Sequence, residues 1–178
     1  ENVTDPREKF RIRIYNCSKE RISLELKRKE RGMCLKTSCH VPLEVLEEII
    51  AGKIPDFTSE MPYLLKKLIC QMQFRALRPV EIVAYERVPF TYEDGNVRIT
   101  FDRNLRSSSN IEDFFNEDAA FRSIFPFGTN MIEVKYDELL PDFINETLQT
   151  SALQWNSFSK YYLCRKFDIQ GLRCGFRA

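Results

Sequence analysis

Arginine and lysine side chains occur at alternate positions in several segments of this sequence, a spacing suited to binding anions. Lys9, Arg11 and Arg13 lie two residues apart in the segment KFRIR, as do Lys27 and Lys29 in the segment KRK. Arginine binds phosphate oxygens through paired hydrogen bonds, whereas lysine acts as a compact point charge. The cations that we expect to face bound phosphate are Arg11, Arg13, Lys27, Lys29, Lys36, Arg87, Arg98 and Lys135.

Glu133 is the carboxylate that fits the same chemistry, because it lies two residues before Lys135 and shares its face. A divalent ion such as Mg²⁺ or Mn²⁺ binds one or two carboxylates together with phosphate oxygens. The other interpretation is a salt bridge from Glu133 to Lys135 or to an arginine, and the residues alone leave both open. The single histidine, His40, completes neither a zinc-finger pattern nor a Ser-His-Asp arrangement.

The segments that carry these cations have the period-2 pattern of half-buried strands. In the first of them Phe10, Ile12 and Ile14 occupy the face opposite the cations. Strands are predicted at residues 9–15, 22–29, 33–38, 80–87, 97–102 and 131–136, with a polar loop around residues 107–110. Helices are predicted at residues 42–52, 61–77, 140–148 and 158–167.

Each predicted strand has one apolar face and one face with Arg, Lys or Glu. For a single strand, the simplest interpretation is a sheet with a dry side and a solvated side. The amphipathic helices, however, need an apolar sheet surface to cover, which favours charged faces that converge inside a curled sheet. The predicted fold class is therefore α+β: an antiparallel β-tunnel, or barrel, with a basic interior and helices packed on the outside. Two like charges about 4 Å apart repel by about 4 kcal/mol at an effective dielectric of 20, so such an interior requires a polyanion or ordered counterions.

Composition argues against several other classes of protein. With 27 basic and 26 acidic residues the net charge is +1, unlike a generally basic nucleic-acid binder. The aromatic residues lie mainly on apolar faces, where they form no stacking platform for bases, so we expect no nucleic-acid partner. No apolar run approaches the ~20 residues that span a bilayer, and no signal peptide opens the chain. Six cysteines without a CxxC pair are typical of reduced thiols, which favours a cytoplasmic location. Membrane association through segments outside this chain, or through a membrane-embedded partner, is the alternative.

Six motifs, in order and spacing, resemble the vacuolar transporter chaperone (VTC) domain, and most closely its bacterial members. These domains are the polyphosphate polymerases of the triphosphate tunnel, or CYTH-like, superfamily. The resemblance covers the chain from Lys9 to about Cys164. The motifs are KFRIR (9–13), ELK (25–27), YER (85–87), NVRITFD (96–102), EVKYDELLPDF (133–143) and FSKY (158–161).

The resemblance implies a closed tunnel in which the γ-phosphoryl group of ATP is transferred to the end of a polyphosphate chain. It implies a divalent metal, Mn²⁺ or Mg²⁺, with Glu133 as its ligand, and ATP and inorganic polyphosphate as partners. Such transfer needs positioning and charge neutralisation more than a covalent nucleophile. The expected catalytic residues are Arg11, Arg13, Lys27, Arg87, Arg98 and Lys160. The expected substrate-binding residues are Lys29, Lys36, Tyr85, Lys135 and Ser159.

Members of the family begin with a strand and a helix that carry a further tunnel lysine, and this sequence starts after that point. We therefore expect residues 1–178 to form a single VTC-like domain that is incomplete at its N-terminus, so that the tunnel lacks one wall.

Two other functions use the same basic faces. A tunnel triphosphatase would hydrolyse tripolyphosphate or a nucleoside triphosphate. Such an enzyme depends on an E-x-E-x-K motif in its first strand, and that motif is not found in this sequence. A non-catalytic polyphosphate-binding regulatory module would keep the cations and have less need of Glu133.

Overall fold

The computed structural model describes residues 6–150, 153–154 and 158–166, and its chain divides into two compact units. Unit 1 comprises Glu1–Val80 and Asn110–Ala119, and unit 2 comprises Glu81–Ser109 and Ala120–Ala178. Each unit contains its own antiparallel sheet. The prediction of one domain over residues 1–178 stays a prediction.

The sheet of unit 1 consists of three strands in sequential order, which residues 14–22 and a two-residue turn connect. The strands are β1 (Arg7–Arg13), β2 (Ser23–Glu30) and β3 (Met33–His40). The two-residue turn between β2 and β3 is Arg31-Gly32, and both residues have positive φ angles of 48° and 80°. Such a turn matches the twist of the flanking strands and fixes the register of the pair, with Glu30 opposite Met33.

Two helices cover the apolar face of this sheet. They are α1 (Leu43–Ile50) and α2 (Tyr63–Arg75), and each is preceded by a proline whose ring sets the φ angle at the entry to the helix. The core formed by the helices and the sheet includes Leu24, Leu26, Leu46, Leu65 and Ile69, all buried. The 3-10 helix Ile111–Phe115 adds Phe114 and Phe115 to the edge of this core. Because the core occupies one face of the sheet, the alternate residues of β1 and β2 face the other way.

The sheet of unit 2 is built around one long strand. Strand β5 (Val97–Ser108) pairs with β4 (Ile82–Tyr92), β6 (Arg122–Ser123) and β7 (Met131–Lys135). The connection between β4 and β5 contains a 3-10 turn, Asp94–Asn96, in which Gly95 has a φ of 75°. A Cβ atom at Gly95 would lie 2.1 Å from the Leu139 carbonyl oxygen, so the close approach of the two segments requires glycine here.

The remaining helical segments of unit 2 pack against this sheet. Helix α3 (Asp142–Leu148) buries Ile144, and the ring of Phe143 contacts Tyr92 edge to face. Residues 160–166 are also helical, and Cys164 packs with Leu105 and Ile124 in a second, smaller core. No helix among the described residues is long and apolar enough to cross a membrane.

The predicted α+β class, with antiparallel strands and helices, is confirmed. Both sheets are open in the described part of the chain, where no closed barrel is detected, so the tunnel stays a prediction. The expectation of a loop around residues 107–110 was wrong at its start, because β5 continues to Ser108. Pairing of Ser108 with Ile82, and of Ser107 with Arg122, keeps these polar residues in the ladder.

Candidate functional site

A buried carboxylate gathers three cations on the polar face of the first sheet. Glu25 lies on β2, the central strand of the sheet, and its side chain is only 8% exposed. Arg11 on β1 is directly opposite and hydrogen-bonds Glu25 Oε2 through Nε at 2.9 Å and also through Nη2. Lys36 Nζ on β3 lies 3.0 Å from Glu25 Oε1, and Arg13 Nη1 lies 3.5 Å from the same oxygen. One negative charge therefore holds three positive charges in fixed positions.

The electrostatics of Glu25 reflect these partners. Burial by itself raises the pKa of Glu25, but hydrogen bonds from Arg11 and Lys36 outweigh burial and leave the pKa below its usual value. Glu25 is therefore ionised at neutral pH. It offsets only part of the positive charge around it.

Two further predicted residues, Lys27 and Lys29, lie on the same face of β2 as Glu25. Lys27 is opposite Lys9 on β1 and Lys36 on β3, and Lys29 is opposite Arg7 on β1. Neither Lys27 nor Lys29 forms an ion pair with any residue that the structure describes. The seven cations of this face are Arg7, Lys9, Arg11, Arg13, Lys27, Lys29 and Lys36. Glu25 is the one carboxylate that the register of the three strands places among them.

A second buried carboxylate organises the sheet of unit 2. Asp102 on β5 has a side chain that is 1% exposed, and it pairs directly with Arg87 on β4. The guanidinium binds both carboxylate oxygens, with Nε 2.6 Å from Oδ1 and Nη2 2.7 Å from Oδ2. Lys160 Nζ lies 2.7 Å from Oδ2 and 4.9 Å from the centre of the Tyr85 ring. The Arg87 guanidinium lies 5.2 Å from that ring, so Asp102 and Tyr85 together fix both cations.

The charge states of this cluster follow from its hydrogen bonds. Burial raises the pKa of Asp102, but hydrogen bonds from Arg87 and Lys160 lower it further than burial raises it. The hydrogen bond to Asp102 raises the pKa of Arg87 above its already high value. Asp102 and Arg87 are therefore both charged at neutral pH.

Glu133 lies beside this cluster on β7. Its carboxylate is 3.1 Å from Lys135 Nζ and 3.6 Å from Arg87 Nη2, so the salt-bridge interpretation of Glu133 is confirmed. Burial raises its pKa, but the hydrogen bond from Lys135 leaves the pKa below the usual value. The carboxylate is 40% exposed, which leaves it accessible to an incoming ligand.

Glu133 also fits the role of a single protein ligand for a divalent metal. The described residues contain no cluster of three or more His, Cys, Asp or Glu side chains that could hold a metal by themselves. Mg²⁺ commonly binds one or two carboxylates and completes its shell with phosphate oxygens and water. Asp102 is 1% exposed whereas Glu133 is 40% exposed, so Glu133 is the more accessible carboxylate of this cluster.

The two remaining predicted residues differ in their surroundings. Arg98 on β5 is exposed and makes no ion pair with the described residues, although Lys135 lies opposite it on β7. Ser159 precedes the helical residues 160–166, and its Oγ accepts a hydrogen bond from the Tyr162 backbone N–H at 3.4 Å. Ser159 therefore caps the start of the helix that presents Lys160.

No role was predicted for Glu25 and Asp102, the two residues around which the cations are organised. A signal for them was nonetheless present. Both share the polar face of a predicted strand with a cation, Glu25 in ELK and Asp102 in NVRITFD. A carboxylate among cations on one strand face could have been interpreted as their common partner.

Comparison with protein families gives one result. The sequence model of the VTC domain matches residues 1–167. Searches of curated proteins and of solved structures gave no match.

Proposed function

This chain belongs to the VTC domain family, and we propose that it is a polyphosphate polymerase. In this proposal the γ-phosphoryl group of ATP is transferred to a polyphosphate chain with a divalent metal, Mn²⁺ or Mg²⁺. The observation that carries the proposal is the polar face of the first sheet, where seven cations surround a single buried carboxylate. That excess of positive charge suits a ligand with many closely spaced negative charges.

The cations of the first sheet supply charge neutralisation and orientation. Glu25 holds the guanidinium groups of Arg11 and Arg13 on this face, where we expect them to contact phosphate oxygens. Lys27 and Lys29 add positive charge that no carboxylate of the described residues offsets. Preorganised cations of this kind are what phosphoryl transfer mainly requires.

The cluster of unit 2 adds a carboxylate suited to a metal. Arg87 and Lys160, fixed by Asp102, stabilise negative charge that develops on phosphoryl oxygens. Glu133 would hold the metal, which when bound neutralises phosphate charge and orients the phosphate groups. Arg98 and Lys135 provide further positive charge on the same sheet face. The closed tunnel and a membrane-embedded partner stay predictions.

The test is the product formed from ATP. The full 178-residue chain is incubated with ATP and Mn²⁺ or Mg²⁺, and the products are separated by chain length. We expect long polymer from the unaltered protein and none from the Glu133→Gln variant, which should still bind polyphosphate. The matched control is Glu138→Gln, because Glu138 is exposed and forms no hydrogen bond or ion pair with the described residues.

Other products would contradict the proposal in distinguishable ways. Free phosphate without polymer would indicate a triphosphatase. Tight polyphosphate binding without turnover under any metal would indicate a regulatory module. Equal polymer yields from Glu133→Gln and Glu138→Gln would remove Glu133 from the reaction.

A further inference from the structure

Thr100 lies at the centre of the polar face of the second sheet. It belongs to β5, and it is directly opposite Glu133 on β7 and Pro89 on β4. Arg98 and Asp102 lie two residues away on either side and share its face of β5. Thr100 is therefore surrounded by residues that the proposed function uses, although no role was predicted for it from the sequence.

The hydroxyl group of Thr100 lacks a partner. Its oxygen is buried and forms no hydrogen bond with any residue that the structure describes. Buried polar groups of folded proteins nearly always have a hydrogen-bond partner, because leaving one unpaired costs folding free energy. A valine would have nearly the same shape as threonine without this cost. The hydroxyl therefore indicates a partner that Thr100 acquires in another state of the site.

Glu133 is the residue that can become this partner. Directly opposite residues of an antiparallel pair have Cβ atoms about 5 Å apart, which brings a threonine hydroxyl within reach of a glutamate carboxylate. In this structure the carboxylate is directed at two cations instead. Lys135 Nζ lies 3.1 Å from Oε1 of Glu133, and Arg87 Nη2 lies 3.6 Å from Oε2.

The two cations differ in how firmly they are held. Arg87 is bound to the buried Asp102, and its side chain is 31% exposed. The side chain of Lys135 is 65% exposed. Both cations are repelled by a divalent ion at Glu133, and the exposed Lys135 can withdraw into water while Arg87 stays bound to Asp102. Glu133 then loses the ammonium group that holds its Oε1 atom.

We propose that Thr100 is a positioning residue whose hydroxyl donates a hydrogen bond to the Glu133 carboxylate when that carboxylate binds a divalent metal. The proposal rests on the proposed function, because it concerns the same metal ligand. Protein groups that hydrogen-bond a metal-bound carboxylate orient it and increase the affinity for the metal. Thr100 thus takes the place of Lys135 as a donor to Glu133, and it does so without adding positive charge beside the metal.

The test compares Thr100→Val, which removes the hydroxyl and keeps the branched shape, with Thr100→Ser, which keeps the hydroxyl. The matched control is Thr91→Val, because Thr91 is an exposed threonine of β4 that lies opposite Arg98 and not opposite Glu133. Calorimetry on the full chain measures the binding of β,γ-imido-ATP, an ATP analogue that resists hydrolysis. Each titration is carried out once with Mn²⁺ and once with a chelator in place of the metal.

The expected result is a loss that depends on the metal. Thr100→Val should bind the analogue with Mn²⁺ about tenfold more weakly, the lower end of the range for losing such a hydrogen-bond partner. Its affinity for the analogue without metal should be unchanged, because Thr100 acts through Glu133. Thr100→Ser should retain the affinity measured with Mn²⁺, and Thr91→Val should change neither affinity.

The melting temperature distinguishes this role from a structural one. Without metal, Thr100→Val should melt at the same temperature as the unaltered protein or at a higher one, because it removes an unpaired buried hydroxyl. A lower melting temperature, or a variant that does not fold, would show that the hydroxyl stabilises the fold and would overturn the inference.

Glu133→Gln separates the failure of this inference from the failure of the proposed function. If Glu133→Gln loses the affinity that Mn²⁺ adds while Thr100→Val keeps it, only the inference fails. Equal losses with and without metal in Thr100→Val, or a loss in Thr100→Ser as large as in Thr100→Val, would also overturn it. If Mn²⁺ does not tighten binding, or if Glu133→Gln binds like the unaltered protein, the metal role of Glu133 fails and the inference fails with it.

Discussion

Replacing Glu25 with glutamine tests whether one carboxylate holds the cations of the first sheet. The Glu25→Gln variant keeps the shape of the side chain but removes the charge that Arg11, Arg13 and Lys36 share. Breaking a fully buried ion pair costs about 3–5 kcal/mol of folding free energy. The side chains of Arg11 and Lys36 are each more than half exposed, at 53% and 54%. Water therefore screens their ion pairs with Glu25, and losing these pairs costs less than losing a fully buried pair. We expect a destabilisation of about 1–3 kcal/mol.

The pH dependence of this destabilisation follows from the lowered pKa of Glu25. A carboxylate with a pKa lower in the folded than in the unfolded state stabilises the fold above its unfolded pKa, about 4.3. That contribution is lost as the pH falls through the folded pKa. The difference in free energy of unfolding between Glu25→Gln and the unaltered protein should thus be constant between about pH 6 and 8. This difference should shrink below about pH 4.

Polyphosphate should reverse the loss. Without Glu25 the cations attract a polyanion more strongly, so saturating polyphosphate should raise the melting temperature of Glu25→Gln more than that of the unaltered protein. Chemical denaturation followed by circular dichroism measures the free energy, and thermal shift measures the rescue. The matched control is Glu30→Gln on the same strand, whose exposed pair with Arg28 is worth well under about 1 kcal/mol. Equal stabilities of Glu25→Gln and Glu30→Gln at pH 7, or a smaller thermal shift in Glu25→Gln, would refute the reasoning.

Three further substitutions test the second sheet. Asp102→Asn should cost about 3–5 kcal/mol in chemical denaturation, because it leaves Arg87 without its buried partner; a cost under 1 kcal/mol would contradict this. Arg98→Gln should leave the melting temperature unchanged, because Arg98 pairs with no described residue. The same variant should bind polyphosphate more weakly in calorimetry, and an unchanged affinity would exclude Arg98 from the site. Glu81→Gln should destabilise the protein by about 1–3 kcal/mol, because the fully buried Glu81 carboxylate lies 3.7 Å from Arg165; an unaltered denaturation midpoint would contradict that role.

The strands and their faces were predictable because alternation is a local property of the sequence. Phe10 and Ile12 pack against the core, and Arg11 and Arg13 lie on the other face, as the pattern predicted. The apolar residues from which α2 was predicted are the same residues that this helix buries. The resemblance predicted the family correctly, because six ordered motifs are far more specific than any one of them.

Contacts between strands were less predictable because register is set by turns and bulges. The pairing of Lys27 with Lys36 depends on the two-residue turn at Arg31-Gly32, and a slip of one residue would place the two side chains on opposite faces of the sheet. The pairing of Arg87 with Asp102 follows a bulge between Ala84 and Glu86 that no sequence pattern marks. The polar sequence around Ser107 predicted a loop, but Ser107 pairs with β4 on one side and β6 on the other and therefore belongs to the sheet.

The most direct test of the polyphosphate proposal is a crystal structure of the full chain grown with polyphosphate. We expect phosphate oxygens within hydrogen-bonding distance of Arg11 and Lys27 on the first sheet and of Arg98 on the second. Phosphate density confined to the helical surfaces, with both polar sheet faces free of it, would contradict the proposal that these faces bind the polymer.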